Sequence, residues 1–313
     1  MAEITAARLN NLQARVELIL GNGAGQNGYG QTITSANVLN DGNATIVADD
    51  LNNMYADMIR ARIHQVGPGD VGIAEVIENL NVVAEETSSF VNDLGQTQID
   101  ADGDKKGIAD FERLMTTIEA DKFLIHPSQA TIEPGISSVR TVSWNGLIVH
   151  EVQINFVNED QRRHFFNTGS EIWIQANNSV ASQPKGLDWA ELCAQVGTVK
   201  FGANATISTT GGGSSIGNYD LNGGLQVIYQ KIGSGTYSAI YAAIYAGNIY
   251  TIKARLDGNT RIVFRIEFND VVVDNNIDNN VDGRLESTVR HYRATGDYVE
   301  VAAPSYFNSS TLA

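Results

Sequence analysis

The residues of this chain that could be catalytic or bind a metal do not lie at the spacings that those functions require. The five histidines are scattered, no H-E-x-x-H pair is present, and no G-x-S-x-G elbow surrounds a serine. The single cysteine, Cys193, falls on a predicted amphipathic helix with nothing nearby to activate a thiolate. We therefore expect surface or hydrogen-bonded histidines, no cofactor and no enzymatic activity. The histidines are His64, His126, His150, His164 and His291.

Gly23, Gly25 and Gly28 match the G-x-G-x-x-G pattern of dinucleotide-binding loops. That pattern must follow a strand and open a helix, so that a pyrophosphate meets the helix N-terminus. Here it follows a predicted helix and is succeeded by more Gly- and Asn-rich sequence. We predict a connecting segment, residues 21–45, that is exposed and long enough to reach a neighbouring subunit.

Two acidic clusters are weak candidates for a structural cation. Asp100, Asp102 and Asp104 alternate like the start of a calcium loop, but the sixth position is Lys105 instead of glycine. A solvated loop is the favoured interpretation there. The stronger candidates are Asp274, Asp278 and Asp282, in a series with one carboxylate every four residues from 270 to 286. On a helix such a series would repel itself, so it predicts a loop that gathers round a cation or pairs with nearby arginines.

Composition limits the possible partners. The chain has 313 residues and a net charge of −15, which disfavours binding to nucleic acid or to anionic membranes. One cysteine excludes an internal disulfide and suits a reducing compartment. The N-terminus lacks the pattern of a signal peptide, and no apolar run is long enough to span a bilayer.

Residues 1–134 are predicted to form a helical attachment and oligomerisation region. Apolar residues recur at helical spacing near 9–19, 51–62, 76–84 and 108–118, and Gly21 ends the first helix. Asp49 and Asp50 are placed to cap the second helix. The first two helices share a sequence pattern at a fixed offset, which suggests that they pack together within or between subunits. The spacing in the first helix would also suit a trimeric coiled coil.

Residues 135–313 are predicted to form an antiparallel β-sandwich, jelly-roll-like domain, so the fold class is α+β. Alternating apolar and polar runs give eight or nine strands, and 187–195 is the one good helix candidate. Asn145-Gly146 and Asp257-Gly258-Asn259 predict two tight hairpins. Several aromatics could line a sugar-binding groove or simply pack in the sheet, namely Trp173, Tyr229, Tyr237, Tyr241, Tyr245 and Tyr250.

One segment carries a resemblance to a known family: Arg-Arg-His-Phe-Phe-Asn-Thr-Gly-Ser-Glu-Ile, residues 162–172. It resembles the R-R-x-F-F-N-[ST]-G-G-E-I motif of structural proteins of contractile-tailed bacteriophages of cyanobacteria, with Ser170 in place of the second glycine. Residues 4–12, 28–31 and 293–304 are similar to that family too. The motif residues are Arg162, Arg163, Phe165, Phe166, Asn167, Gly169 and Glu171.

The resemblance implies a virion protein of the neck, tail fibre or baseplate, assembled in the host cytoplasm with copies of itself and other virion proteins. Within the motif, a turn at Asn167–Gly169 would direct Phe165 and Phe166 into the sandwich and leave both arginines solvated or paired with acids. A host-receptor or glycan-binding module of a tail fibre is the alternative function.

Overall fold

The computed structural model describes residues 6–37, 46–69, 108–233, 246–271 and 280–312. Within these ranges it has five α-helices and eleven β-strands, which confirms the predicted α+β class. The helices are α1 (Ala6–Leu20), α2 (Ala48–Val66), α3 (Ile108–Ala120), α4 (Glu159–Asn167) and α5 (Pro184–Val196). The strands are β1 (Ala130–Arg140), β2 (Gly146–Asn155), β3 (Glu171–Ser179), β4 (Thr198–Phe201), β5 (Thr206–Ser208), β6 (Gly213–Ser214), β7 (Gln226–Ile232), β8 (Ile249–Asp257), β9 (Arg261–Asp270), β10 (Arg284–Ala294) and β11 (Ser305–Ser310). The predicted helical stretch at 76–84 lies outside the described residues.

The chain forms two compact units, and both are discontinuous in sequence. The helical unit comprises Met1–Thr131, Arg163–Gly169 and Arg293–Ala302. The β unit comprises Ile132–Arg162, Ser170–Tyr292 and Ala303–Ala313. Two short segments from the C-terminal half of the sequence thus belong with the N-terminal helices.

In the helical unit, α1, α2 and α3 pack against one another. The predicted apolar face of α1 is buried, with Leu9, Leu12 and Val16 each at most 2% exposed. Two bidentate ion pairs join α1 to α3: Arg8 to Glu112 at 2.7 Å and Arg15 to Glu119 at 2.8 Å. Because α2 and α3 already cover the apolar stripe of α1, that stripe is not free to form the trimeric coiled coil considered from sequence.

As far as residue 37, the Gly- and Asn-rich segment after α1 is largely exposed, as we predicted, but buried residues such as Tyr29 and Ser35 anchor it to the helical unit. It folds back on the end of α1, where the Tyr29 and Gln31 amides donate to the carbonyls of Ile19 and Leu20 at 2.8 and 2.9 Å. The Tyr29 side chain is 1% exposed, and its hydroxyl donates to the carbonyl of Lys122. An aromatic anchor in an otherwise polar segment was the signal for burial. Residues 38–45 lie outside the described residues.

The β unit contains two antiparallel sheets. One has the strand order β1-β10-β3-β4-β5-β6 and the other β11-β2-β9-β8-β7. The hairpin at Asp257-Gly258-Asn259 is confirmed: β8 pairs with β9, and Asp257 lies opposite Arg261. Phe201 on β4 and Phe264 on β9 belong to different sheets, and their rings are 5.1 Å apart. The predicted helix near 187–195 is also confirmed, as α5.

Three strand predictions were wrong. Asn145-Gly146 does not close a hairpin, because β1 and β2 belong to different sheets and β2 pairs with β9 and β11 instead. The run 298–304 is not a strand, and β11 follows it. We missed β10 because its charged residues resembled a loop, although every second residue is buried from Leu285 to His291. The apolar run at 237–246 lies outside the described residues, except for Ala246.

Among the described residues, no helix combines the length and the apolar character that crossing a bilayer requires.

Candidate functional site

The motif segment builds a clamp around the glycine-rich loop, residues 22–28. The Arg163 guanidinium on α4 donates to four backbone carbonyls of that loop. Its Nη2 atom lies 3.0 Å from the Gly23 oxygen, 3.1 Å from that of Asn22 and 3.2 Å from that of Asn27, while Nε lies 3.1 Å from the Gly25 oxygen. Only 9% of the Arg163 surface is exposed. We call this arrangement the carbonyl clamp.

Asn167, one turn further along α4, extends the clamp. Its Nδ2 atom donates to the Asn27 oxygen at 2.8 Å and to the Gly28 oxygen at 3.2 Å. His164 donates from Nε2 to the Asn22 oxygen at 3.1 Å. These neutral and cationic donors satisfy carbonyls that the loop cannot pair internally, which is why a polar loop can be ordered without regular structure.

Three glycines of the loop take left-handed backbone angles, and at two of them a side chain would have no room. Gly23 has φ of 42° and Gly28 has φ of 93°. A Cβ atom at either position would come within 2.6 Å of the backbone across the loop. The G-x-G-x-x-G pattern therefore allows a tight loop whose carbonyls surround the Arg163 guanidinium. Its carbonyls point at Arg163, whereas a dinucleotide loop presents amide groups to phosphate.

The turn predicted at Asn167–Gly169 is largely confirmed, but the motif residues before it form a helix that we did not predict. Residues 159–167 form α4, and the turn begins only at Thr168 and Gly169. Phe165 and Phe166 are fully buried, but they belong to the helical unit and not to the unit that holds the sheets. Gly169 has φ of 76°, and a Cβ there would lie 2.5 Å from the Phe123 oxygen. Ser170 does not adopt a positive φ, so serine fits at that position.

Arg162 and Glu171 act in the β unit. Arg162 is 6% exposed and donates to the Asn259 carbonyl at 2.8 Å and to the Asn218 side chain. Glu171 accepts a hydrogen bond of 2.7 Å from the Trp173 indole, and burial raises the pKa of its carboxyl. Of the two predicted alternatives for the motif arginines, the solvated one was wrong, because both side chains are at most 9% exposed. The other, pairing with an acid, is met by Arg162, whose Nη2 atom lies 4.0 Å from Glu159 Oε1.

Parts of the segments that we compared with the phage family belong to the helical unit. Besides the loop and α4, the stretch 293–302 contributes to it. Gln31 donates from Nε2 to the Glu300 carbonyl at 2.8 Å, and Arg293 donates to the Val301 carbonyl at 2.6 Å. Residues far apart in sequence thus support one another through side-chain bonds to the backbone.

His64 is the most perturbed base of the helical unit. Its Nε2 atom donates to the Thr168 carbonyl at 2.8 Å, and its Nδ1 atom has no hydrogen-bond partner among the described residues. Burial lowers the pKa of His64 to about 4. With a fully buried ring, this neutral imidazole links α2 to the motif segment and offers no access for a substrate.

The cation candidates do not come together in the described residues. Asp282 is bound to protein: it accepts from the Ser182 amide and hydroxyl at 2.8 Å and from the Gln183 amide at 3.2 Å. It therefore caps the start of α5 from a distant part of the chain. No group of three metal-ligating side chains occurs within the described ranges. Asp274 and Asp278, like Asp100, Asp102 and Asp104, lie outside them.

Two further buried histidines connect strands. His150 on β2 lies 2.9 Å from Ser287 Oγ and 2.9 Å from Asn308 Oδ1, and burial lowers its pKa. His291 bridges Tyr306 at 2.7 Å and Glu133 at 2.9 Å. The first set resembles a Ser-His-Asn triad in its residue types, but Ser287 is completely buried and cannot meet a substrate.

Sequence reasoning missed a buried ion pair at the start of α5. Lys185 Nζ lies 2.7 Å from Asp270 Oδ2, and both side chains are fully shielded from solvent. Lys185 shares the buried helix face with Asp188, Trp189 and Leu192, so its position in the amphipathic pattern was the available signal. We had assigned Asp270 to the acidic series instead.

Comparison with protein-family models, with curated proteins and with solved structures found no match to this chain.

Proposed function

We propose that this chain is a non-enzymatic structural component of a bacteriophage virion, in the neck, tail fibre or baseplate. It acts there as a symmetric oligomeric building block, with copies of itself and other virion proteins as partners. The proposal rests first on the family resemblance of residues 162–172 and of three other segments.

The carbonyl clamp is the observation that carries the proposal. The residues that bear the resemblance, Arg163 and Asn167 above all, bind backbone within their own unit instead of lining an open pocket. A motif that stabilises the fold from within suits a structural protein, which must keep its conformation under mechanical force. An enzyme motif would present reactive groups to a cavity.

We further propose that the two sheets of the β unit form a jelly-roll-like sandwich, the usual architecture of structural modules in viral particles. The contact of Phe201 with Phe264 supports this arrangement, as does the alternation of buried residues along β9 and β10.

Particle composition tests the function. Phage particles that carry this gene product should be banded in a density gradient and analysed by quantitative mass spectrometry. We expect the chain in the particle fraction at a fixed ratio to the major structural proteins. Its presence in the lysate but not in the banded particles would refute the proposal.

Glycan binding by the β unit is the second candidate, and one surface favours it. Of the aromatics considered from sequence, Tyr229 and Tyr250 are buried, whereas Trp173 is partly exposed. It stacks on Tyr292 at 5.2 Å, and Lys200 Nζ lies 4.5 Å from its ring. An aromatic pair with a nearby cation is a typical element of saccharide sites. Tyr237, Tyr241 and Tyr245 lie outside the described residues.

Glycan-array binding of the full chain distinguishes the two functions. If Trp173 contacts a saccharide, Trp173→Ala abolishes binding. Phe307→Ala removes an aromatic that is 58% exposed on the other sheet and should leave binding intact. Equal loss in both variants, or no binding by the unmodified chain, would refute this candidate.

A further inference from the structure

The Lys185–Asp270 pair has the geometry of two groups poised to react. The Nζ atom lies 2.7 Å from Oδ2, and because Oδ2 is bonded to Cγ, the nitrogen lies next to the carbon that it would attack. Both side chains have no solvent exposure, and each is held on a regular element. Lys185 is in the first turn of α5, and Asp270 is the last residue of β9.

The two groups lie where no solvent can reach their side chains. An ion pair that is wholly removed from water costs several kcal/mol of desolvation per ion. The positive end of the α5 dipole acts against an ammonium at Lys185. Aromatic side chains adjoin the pair on both elements: Trp189 is one turn after Lys185, Phe268 is two residues before Asp270, and their rings are 6.1 Å apart.

An acid stands beside the pair on the same helix. Asp188 is 3% exposed, and its Oδ2 atom has no hydrogen-bond partner among the described residues. Burial, with smaller contributions from the charges of Glu191 and Asp270, raises the pKa of Asp188 to about 6. A carboxyl with that property can give and take a proton near neutral pH.

We propose that Lys185 and Asp270 form an intramolecular isopeptide bond that joins α5 covalently to the end of β9. This inference does not depend on the virion assignment, because it concerns chemistry within the β unit alone.

The reaction balances without a co-reactant. A proton first passes from the Lys185 ammonium to the Asp270 carboxylate, which leaves a neutral amine and a carboxylic acid. The amine lone pair attacks Cγ of Asp270, and a new Cγ–Nζ bond forms. Asp188 takes a proton from the attacking nitrogen and gives one to the departing hydroxyl. The Cγ–O bond breaks, one water molecule leaves, and the product is a neutral amide.

The bond would make the β unit more resistant to denaturant and to mechanical force. It replaces two buried charges with one neutral amide, and it ties α5 to a sheet strand by a link that denaturant cannot break. In a particle component, such a link keeps the chain connected when a tensile force opens the sheet.

Intact mass spectrometry of the purified full chain tests the proposal directly. The folded protein should be lighter than its sequence mass by one water molecule. Trypsin should no longer cut after Lys185, and it should release a branched product that joins residues 164–200 to residues 266–284. A full sequence mass after prolonged incubation of the folded chain, at pH 6 and at pH 8, would overturn the proposal.

Two variants preserve the packing and separate the role of the Lys185 amine from that of the Asp188 carboxyl. Lys185→Arg keeps the buried cation but lacks a nucleophilic amine, so its mass should stay at the full sequence value. Asp188→Asn retains the pair without the proton shuttle, and cross-linking should slow at least tenfold. A water loss that persists unchanged in Lys185→Arg would assign it to another site and refute the link.

Discussion

Removal of the Arg163 guanidinium should loosen the glycine-rich loop selectively. Arg163→Met keeps most of the side-chain volume but removes the charged donor from four loop carbonyls. The carbonyls of Asn22 and Asn27 keep donors from His164 and Asn167. The carbonyls at exposed residues can rebind water, so we count two lost bonds to a charged group at about 1.5 kcal/mol each. We therefore expect the free energy of local opening of the loop to be about 3 kcal/mol lower in Arg163→Met than in the unmodified chain.

Hydrogen–deuterium exchange measures this opening at the loop itself. The amides of Tyr29, Gly30 and Gln31 are bonded to carbonyls at the end of α1, at 2.8 to 2.9 Å. Since about 1.4 kcal/mol corresponds to a factor of ten, their exchange should accelerate roughly 100-fold in Arg163→Met.

Arg162→Met is the matched control, because it changes the adjacent arginine of the same helix. Arg162 donates to Asn259 and Asn218 in the β unit. Exchange of the three loop amides should stay within about twofold of the unmodified chain. If Arg163→Met has no more effect on these amides than Arg162→Met, the clamp does not hold the loop.

Three other predictions concern single residues. The pKa of His64 is about 4 in the folded state, below its unfolded value of 6.5. The stability that the neutral ring contributes is therefore fully present above pH 6.5 and is lost as the pH falls toward 4, because the unfolded state binds the proton first. Chemical denaturation across that range should show a loss of about 3 kcal/mol, and His64→Gln should remove this dependence. Asp282→Ala should lower stability by about 1–2 kcal/mol through loss of the α5 cap, and calcium should not alter the melting temperature of either protein. A melting temperature that rises with calcium only when Asp282 is present would refute the capping role. Gly169→Ala should cost about 2 kcal/mol or more, whereas Ser170→Ala should cost less; equal losses in thermal melts would contradict the assigned backbone strain.

Local patterns were sufficient where neighbouring residues decide the structure. The apolar spacing of Leu9, Leu12 and Val16 predicted α1, and Gly21 marked its end. Asp257-Gly258-Asn259 predicted the β8–β9 hairpin, because the turn and both strands are adjacent in sequence. The acid at Asp50 was expected near the start of α2, and its carboxylate accepts from the Val47 amide.

Local patterns failed where the partner is distant. Asn145-Gly146 is a strong hairpin signal, yet β2 finds its partners in β9 and β11, more than one hundred residues away. Sheet membership depends on which strands can bury a common face, and no short window contains that information. Asp282 likewise looked like a member of an acidic series until the fold placed it at the start of α5.

The sequence by itself determined the α+β class, the helices of the N-terminal region, and the absence of any catalytic motif that a pattern can identify. Those properties follow from periodicity, turn residues and composition, all of which are local. Only the tertiary structure determined which charged residues are buried and which face solvent. Arg163 and Lys185 would each be assigned to solvent by residue type, but the fold surrounds one with carbonyl oxygens and places the other against Asp270. A charge can be buried only where its partners converge, and that convergence is a property of the folded chain.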